Sequence, residues 1–249
     1  MEDNKAKKYQ LFLPPYLQYL GYGKIPCVVE LSERAVVETP THIDENPIWS
    51  PWRGIFEYIA CVEHAREVLI SLPEGRAIGS QHVIPARYNS AALIFFAQAS
   101  LDNIAVWMSK LFKLKMKGSN LAFHVKAFKD ELQAVDPSIV HVINNHNKFI
   151  HSLKDYRKEW IHRLTGGANI FSDKIPSDPT CRTEIAVPID PKINVFDGDR
   201  SLYVKMIAKC KVDNGGRWLY SIKDFANLMT NGTKNFSIDT LSQLLRKVK

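Results

Sequence analysis

Residues 85–117 read PARYNSAALIFFAQASLDNIAVWMSKLFKLKMK, and this stretch decides the fold that the sequence predicts. Pro85 suits the first position of a helix, and Gly118, directly after the stretch, favours its end. Residues 91–112 are apolar nearly all round, which is typical of a helix surrounded by other helices. The polar side chains fall on one narrow stripe, formed by Gln98, Asp102, Ser109 and Lys113. We therefore predict a central helix over residues 85–117.

Helical patterns continue on both sides of this central helix. A first helix is predicted over 52–72, and a third over 120–135. Asp136-Pro137 is typical of an N-cap followed by proline at the first helical position. A fourth helix is therefore predicted over 137–165, where Gly166-Gly167 ends it. Long helices joined by short loops predict an all-α fold, a bundle of four or five helices.

The rest of the chain divides into an arm, a linker and an appendage. Residues 1–50 contain several prolines and little helical period, so they predict an irregular N-terminal arm before a bundle over 51–171. Residues 172–200 are rich in Pro, Asp and Gly and predict a linker, with a strand near 183–187. Residues 201–249 predict a small helical C-terminal segment of three short helices, the first of which also alternates as a strand would.

The last two of these short helices resemble a helix-turn-helix in pattern. Ser221 and Asp224 favour the start of one helix, Ser237 favours the start of the next, and residues 230–236 separate them. The final helix carries polar and basic residues that could enter a DNA groove. The turn is longer than the usual three or four residues. A helical hairpin that packs on the bundle is therefore the other interpretation.

The composition is that of a basic globular protein. The chain has 249 residues, 45% of them hydrophobic, and a formal net charge of +7, which favours a polyanionic partner such as RNA or DNA. We find no run of about 18 apolar residues and no signal-peptide pattern, so we expect a cytoplasmic protein without membrane contact. The four cysteines are far apart, which argues against a zinc site or a disulfide framework. We expect no metal and no cofactor.

The candidate site lies late in the fourth predicted helix, where residues 155–162 read DYRKEWIH. Arg157 and His162 form an Arg-x4-His pattern, with the polar Lys158 directly after the arginine. Arg76 and His82 have a similar spacing, but they lie among prolines and glycines where no helix is predicted. The pattern on the fourth helix is therefore the one that we examine for chemistry.

With these features the chain resembles the HEPN superfamily (higher eukaryotes and prokaryotes nucleotide-binding domains) over roughly residues 52–170. The resemblance rests on the long central helix, including Ser100-Leu101-Asp102-Asn103, and on the Arg157-x4-His162 pattern of the later helix. It points to small stand-alone bacterial members. Many members look like metal-independent endoribonucleases that act as homodimers in toxin or defence systems, and others bind RNA without cleaving it. An antitoxin or another protein partner is implied on the same ground.

The resemblance also implies roles for individual residues. Arg157 and His162 become the catalytic pair, and Asp102 matches a polar position on the earlier helix that some members use. Lys158 occupies a position that often holds a small polar residue in the family. Lys158 and His151 lie on the polar face of the fourth predicted helix, where we expect them to contact RNA.

The residue types fit this chemistry without the family name. RNA cleavage by its own 2′-hydroxyl requires a proton to be taken and a proton to be returned. Histidine has an unperturbed pKa near 6.5, which suits His162 to that exchange at neutral pH. Arg157 is always charged and can hold phosphate oxygens with two parallel hydrogen bonds. No metal is required.

Regular helix geometry separates the two side chains. Positions five apart on an α-helix point about 140° away from each other. A shared site therefore needs a long arginine that reaches round, a kink near residue 155, or a second copy of the helix across a dimer. The last option predicts a homodimer with the 137–165 helices near its axis.

Simpler interpretations stay open for each candidate residue. Arg157 could form an ordinary salt bridge, His162 could be a solvated helix residue, and Asp102 could belong to a solvent-facing stripe. His146 lies on an apolar stripe and fits a core histidine with one hydrogen-bond partner better than a ligand. It follows His141 and precedes His151 at intervals of five, a spacing that does not place the three on one helix face for a metal.

Overall fold

A computed structural model describes residues 50–75, 78–158, 168–172, 183–189, 211–212 and 218–245. The predicted N-terminal arm, the predicted helix over 201–212 except its last two residues, and His162 lie outside these residues.

Helices contain most of the described residues, and the all-α prediction is confirmed. The helices are α1 (Ser50–Ser71), α2 (Val83–Leu111), α3 (Lys126–Val135), α4 (Pro137–Asn145), α5 (Asn147–Arg157) and α6 (Ile222–Leu245). Short 3-10 turns at Ser80–His82 and Gly118–Asn120 precede α2 and α3. Nearly all of the large buried apolar side chains stand on these helices, so the helices form the core.

The described residues fall into two compact units. The first contains residues 50–60, 99–147 and 233–245, and the second contains the described residues of 61–98 and 148–232. In the first unit Phe123 packs edge-on against Phe236 of α6, with ring centroids 5.0 Å apart. In the second unit Arg66 of α1 donates from Nε to Asn227 Oδ1 of α6 over 2.8 Å. Each unit thus joins segments that are distant in the chain.

The helix α2 ends six residues before the predicted boundary at residue 117. Lys113 has a left-handed backbone, with φ of 52°. Its amide donates to Lys110 O over 3.3 Å, and the Leu114 amide donates to Ser109 O over 2.9 Å. These two bonds form a Schellman motif, which usually places glycine at the left-handed position. The predicted end at Gly118 rests on the preference of helix ends for glycine, whereas here a lysine takes the left-handed position.

The predicted fourth helix is divided into α4 and α5. The predicted cap is confirmed: Asp136 Oδ1 accepts from the Ser138 amide at 3.0 Å, with Pro137 at the first helical position. The break falls at His146, where Asn144, Asn145 and Asn147 surround it in sequence. Asparagine competes with the helix by bonding to nearby backbone, so this run weakens a helix that apolar periodicity alone predicts as continuous.

A small antiparallel sheet belongs to the second unit. Its strands are β1 (Asn169–Ser172), β2 (Thr183–Ile189), β3 (Lys211–Val212) and β4 (Trp218–Ser221), in the order β1-β2-β4-β3. The predicted strand near 183–187 is therefore confirmed and extends to residue 189. Pro188 pairs with Leu219 of β4 but lies beyond the residues of β2 that pair with β1. A proline fits there because no second ladder requires its missing N–H.

The predicted helix-turn-helix pattern is wrong, and so is the alternative hairpin. Residues 222–245 form one continuous helix through Asn231 and Gly232. Gly232 sits where a Cβ atom would lie only 2.4 Å from the Phe149 ring of α5. The glycine therefore permits close helix packing here, and it does not mark a turn.

The length and composition of α2 bear on the expectation that the chain has no membrane-spanning stretch. By length and composition the helical stretch Ser80–Leu111 could cross a membrane, contrary to the expectation from the sequence. More than half of its apolar window is buried inside the protein. Burial of that kind is typical of the core helix of a soluble protein.

Removing the cap of α4 should destabilise the first unit. We expect Asp136→Ala to cost about 1 kcal/mol, because the Ser138 amide loses its acceptor at a buried helix start. Urea denaturation at neutral pH measures this loss. Asp136→Asn keeps an acceptor oxygen and serves as the control. Equal losses for both variants would show that the carboxylate has another structural role.

The ion pair between Glu74 and Lys223 in the second unit gives a pH prediction. Lys223 Nζ lies 2.8 Å from Glu74 Oε1, and this hydrogen bond with its charge attraction lowers the pKa of Glu74 below the ordinary 4.5. A lowered carboxylate pKa stabilises the fold above the unfolded pKa, and that contribution disappears as pH falls through the folded pKa. The pair is largely exposed, so we expect a small effect. An NMR titration should show the Glu74 pKa rising toward 4.5 in Lys223→Gln; an unchanged pKa would contradict the assignment.

Candidate nucleic-acid interface

One side of α5 is fixed in the core of the second unit. Ile150, Leu153 and Tyr156 are buried. The Tyr156 ring packs edge-on against Phe225 of α6, with ring centroids 5.3 Å apart and an interplanar angle of 74°. Spacings of three residues place these side chains on one helix face. The remaining faces of α5 are therefore held in a fixed orientation toward the surface.

The opposite side of α5 is basic. Lys148, His151, Lys154 and Lys158 follow one another at spacings of three, three and four, which gives one continuous helix face. We call these four residues the α5 basic face. Lys154 and Lys158 are exposed, and Asp155 is the one acidic residue between 148 and 158. A surface of this charge attracts phosphate groups.

Arg157 flanks the α5 basic face and is exposed at the last position of the α-helix. The next residue, Lys158, lies in a π-helical turn. In such a turn the backbone bonds join residues five apart, and π-turns inside α-helices are frequent at functional sites. The α-helix itself ends at the predicted catalytic arginine.

The predicted site residues occupy different parts of the molecule. Arg157, Lys158 and His151 stand on or next to one surface of α5, as the sequence predicts for the last two. Asp102 is half-buried on α2 and belongs to the first unit, whereas α5 belongs to the second. His162 lies outside the described residues, so its pairing with Arg157 stays a prediction. Lys148 and Lys154 were not singled out from the sequence, although their spacing from His151 and Lys158 was readable.

His146 has the single hydrogen-bond partner that was predicted, but it is half-buried at the break between α4 and α5 and is not a core residue. Its Nε2 atom lies 2.8 Å from Asp239 Oδ2 of α6, and its ring packs edge-on against Phe236 at 5.5 Å. Both contacts lie within the first unit and attach the end of α4 to α6. His146 thus connects two helices, which is a structural role.

The described ranges, taken alone, contain no group of three or more His, Cys, Asp or Glu side chains arranged to hold a metal ion. The chemistry available on α5 comes from hydrogen-bond donors: the guanidinium of Arg157, the ammonium groups of its lysines and the imidazole of His151. Such donors bind phosphate oxygens, and arginine does so with two parallel bonds.

Comparisons with known proteins give no family name. No protein-family model matches the chain, and neither curated proteins nor solved structures give a match.

Proposed function

We propose that this chain is a HEPN-like RNA-binding protein in which Arg157 and His162 act as a metal-independent endoribonuclease pair. The observation that carries the proposal is the position of Arg157. It is exposed beside the α5 basic face, directly before the π-helical turn at Lys158, on a helix whose other side is buried. A charged, solvent-facing arginine on a helix whose other side is buried can hold a phosphate.

The proposed reaction uses the RNA as its own nucleophile. The 2′-oxygen attacks the adjacent phosphorus, the bond from phosphorus to the 5′-oxygen breaks, and a 2′,3′-cyclic phosphate and a 5′-hydroxyl result. His162 takes the proton of the attacking 2′-hydroxyl and returns it to the departing 5′-oxygen, and Arg157 stabilises the added negative charge on the phosphorane. His151, Lys154 and Lys158 hold the neighbouring phosphates. The role of Asp102 on α2 stays a prediction that the family resemblance implies.

RNA cleavage by the whole protein tests the proposal. We expect cleavage of mixed single-stranded RNA to persist in EDTA and to leave 2′,3′-cyclic phosphate ends. Arg157→Ala and His162→Ala should each lower the rate at least about 100-fold, as removal of an acid, a base or a charge-stabilising donor does. Arg157→Lys keeps the charge but loses the two-bond geometry, and it should recover only part of the rate. Activity that disappears with EDTA would overturn the mechanism.

Binding without cleavage is the non-enzymatic form of the proposal. It predicts RNA affinity that falls in Lys154→Gln and Lys158→Gln while no cleavage is seen in any variant. The DNA-binding alternative rests on a helix-turn-helix pattern, and that pattern is not formed because residues 222–245 make a single helix. It would be supported by duplex DNA affinity that exceeds RNA affinity at the same salt concentration.

We also propose a homodimer, as the family resemblance implies, and an apolar face of α2 supports it. Ile84 and Tyr88 are 75% and 73% exposed, and Phe95 is 46% exposed. Arg87 is the one charged side chain between Ile84 and Phe95, and its Nε donates to Ala168 O over 2.8 Å, so the face is mainly apolar. Light scattering at tens of micromolar should give a dimer, and Tyr88→Glu should give a monomer. A dimer of both the wild type and Tyr88→Glu would show that the α2 face is not the contact, and would favour the predicted contact through the helices over 137–165.

A further inference from the structure

The positive charge of this chain is concentrated in one short segment of the first unit. Residues 103–129 contain six lysines and neither aspartate, glutamate nor arginine, so the segment carries +6 of the net +7 and leaves +1 for all other residues. The lysines are Lys110, Lys113, Lys115, Lys117, Lys126 and Lys129. Five of them are exposed, all except Lys129. A whole-chain charge conceals this local excess.

Three of these lysines stand close together in the loop that joins α2 to α3. We call residues 112–120 the lysine loop, in which Lys113, Lys115 and Lys117 alternate with Leu114 and Met116. The lysines are exposed and the two apolar residues are half-buried, so the charges share the outer side. Among the described residues, the side chains of Lys113 and Lys117 form no ion pair. Their charges therefore remain available to a ligand.

The lysine loop is held in place by its own backbone. The Schellman motif at Lys113 fixes its start, and the Lys115 amide donates to Glu131 Oε2 of α3 over 3.1 Å. The turn at Gly118–Asn120 closes with a bond from the Leu121 amide to Gly118 O over 3.0 Å. A loop that is fixed before binding loses little conformational freedom when a ligand binds.

The backbone at Lys113 adds a second observation. A lysine with φ of 52° occupies a conformation that costs a residue with a side chain roughly 1–2 kcal/mol and that glycine adopts freely. The same loop does use glycine at its other left-handed position, Gly118, with φ of 62°. Backbone strain of this kind is concentrated at functional sites. Lys113 thus carries its charge at a position where glycine would relieve the backbone.

We propose that the lysine loop binds the phosphate backbone of nucleic acid without reading its sequence. The loop carries compact ammonium charges, and Ser119 and Asn120 are exposed beside them as further donors to phosphate and sugar oxygens. It has no exposed aromatic or arginine side chain to stack on bases. The proposal deepens the proposed function and rests on it for RNA as the polymer.

An anionic membrane surface is the competing ligand, and the exposed residues disfavour it. Surface-bound membrane segments combine basic residues with apolar side chains that enter the lipid. Every exposed residue of the lysine loop is polar or glycine, because Leu114 and Met116 are half-buried. Charge alone attracts such a loop to anionic lipid only weakly, and stable attachment needs a second signal.

The test measures binding of the full chain to labelled single-stranded RNA, to DNA of the same sequence and to phosphatidylserine vesicles. The neutral variant is Lys113→Gly, Lys115→Gln and Lys117→Gln together. We expect it to bind RNA about 10- to 100-fold more weakly at low salt. Its salt dependence should be shallower by about two in the log-log slope, since each phosphate contact on a single strand contributes about 0.7. Arginine at the same three positions should keep RNA affinity within about threefold.

The single variant Lys113→Gly distinguishes a role of Lys113 in RNA binding from a role in stability. Glycine relieves the left-handed backbone, so the Tm should stay the same or rise, while RNA affinity falls. A purely structural lysine would give no loss of affinity. Triple replacement of Lys148, Lys154 and Lys158 by glutamine removes the same charge from α5 and tests the proposed function separately.

The outcomes distinguish the two proposals. Unchanged RNA affinity in the neutral variant, with a loss in the α5 variant, overturns the lysine loop and leaves the proposed function standing. If the neutral variant loses affinity equally for RNA and DNA, the lysine loop binds nucleic acid, but the polymer is not specifically RNA. Loss of vesicle binding alone makes the loop a membrane surface and overturns the inference. A wild-type chain that binds neither RNA nor DNA overturns both proposals.

Discussion

Replacing Tyr156 with alanine is expected to destabilise the protein by about 3–5 kcal/mol, whereas replacing its neighbour Arg157 should cost less than about 1 kcal/mol. Tyr156 is 1% exposed and packs against Phe225, so its removal leaves a large cavity between α5 and α6. Arg157 is exposed at the end of the same helix. Chemical denaturation of both variants measures the difference.

The RNA phenotype should run in the opposite order. Folded Tyr156→Ala should keep RNA binding, while Arg157→Ala should weaken binding or cleavage without loss of stability. Tyr156→Phe retains the ring and serves as the control, and we expect it to cost far less than the alanine variant. If Arg157→Ala unfolds the protein and its folded fraction binds RNA normally, Arg157 is structural and the proposed site is withdrawn.

Replacing Gly232 with alanine is expected to destabilise the protein by up to about 2 kcal/mol, although alanine is the better helix former. A Cβ atom at this position would lie 2.4 Å from the Phe149 ring, and overpacking of that kind costs about 1–3 kcal/mol. The helix propensity of alanine offsets about 1 kcal/mol of this cost. Thermal and urea denaturation measure the net loss.

The adjacent Asn231 provides a matched control for the packing of α6. It is exposed in the same helix, so Asn231→Ala should stabilise the protein by a few tenths of a kcal/mol. Shortening the opposing ring in a Gly232→Ala and Phe149→Leu double variant should recover most of the stability. If both single alanine variants destabilise the protein equally, residues 231–232 form a turn and the continuous helix is wrong.

Much of the helical architecture is readable from local sequence. The apolar stretch from 91 to 112 defines α2, and Asp136-Pro137 marks the start of α4 at the predicted residue. These signals are local, because helix periodicity and caps depend on residues within one or two turns. For the same reason the strand near 183–187 was predicted, but its partners β1 and β4 were not.

The boundaries that the sequence analysis missed depend on contacts between distant residues. Asn231-Gly232 is a strong local turn signal, yet the Phe149 ring of another helix fills the space beside the glycine. Lys113 ends α2 in a backbone conformation that favours glycine, so no composition rule places the boundary there.

For the candidate site, the sequence by itself determined which residue types are available: Arg157, His162, Lys158, His151 and Asp102 were all named from it. The apolar periodicity also placed Lys158 and His151 on the polar face of the predicted helix, and burial of Leu153 and Tyr156 confirmed that rotation of α5. Only the tertiary structure placed Asp102 in a separate compact unit and gave Lys158 a π-helical turn. The division into compact units follows from packing between segments far apart in the chain, and local periodicity does not encode that packing.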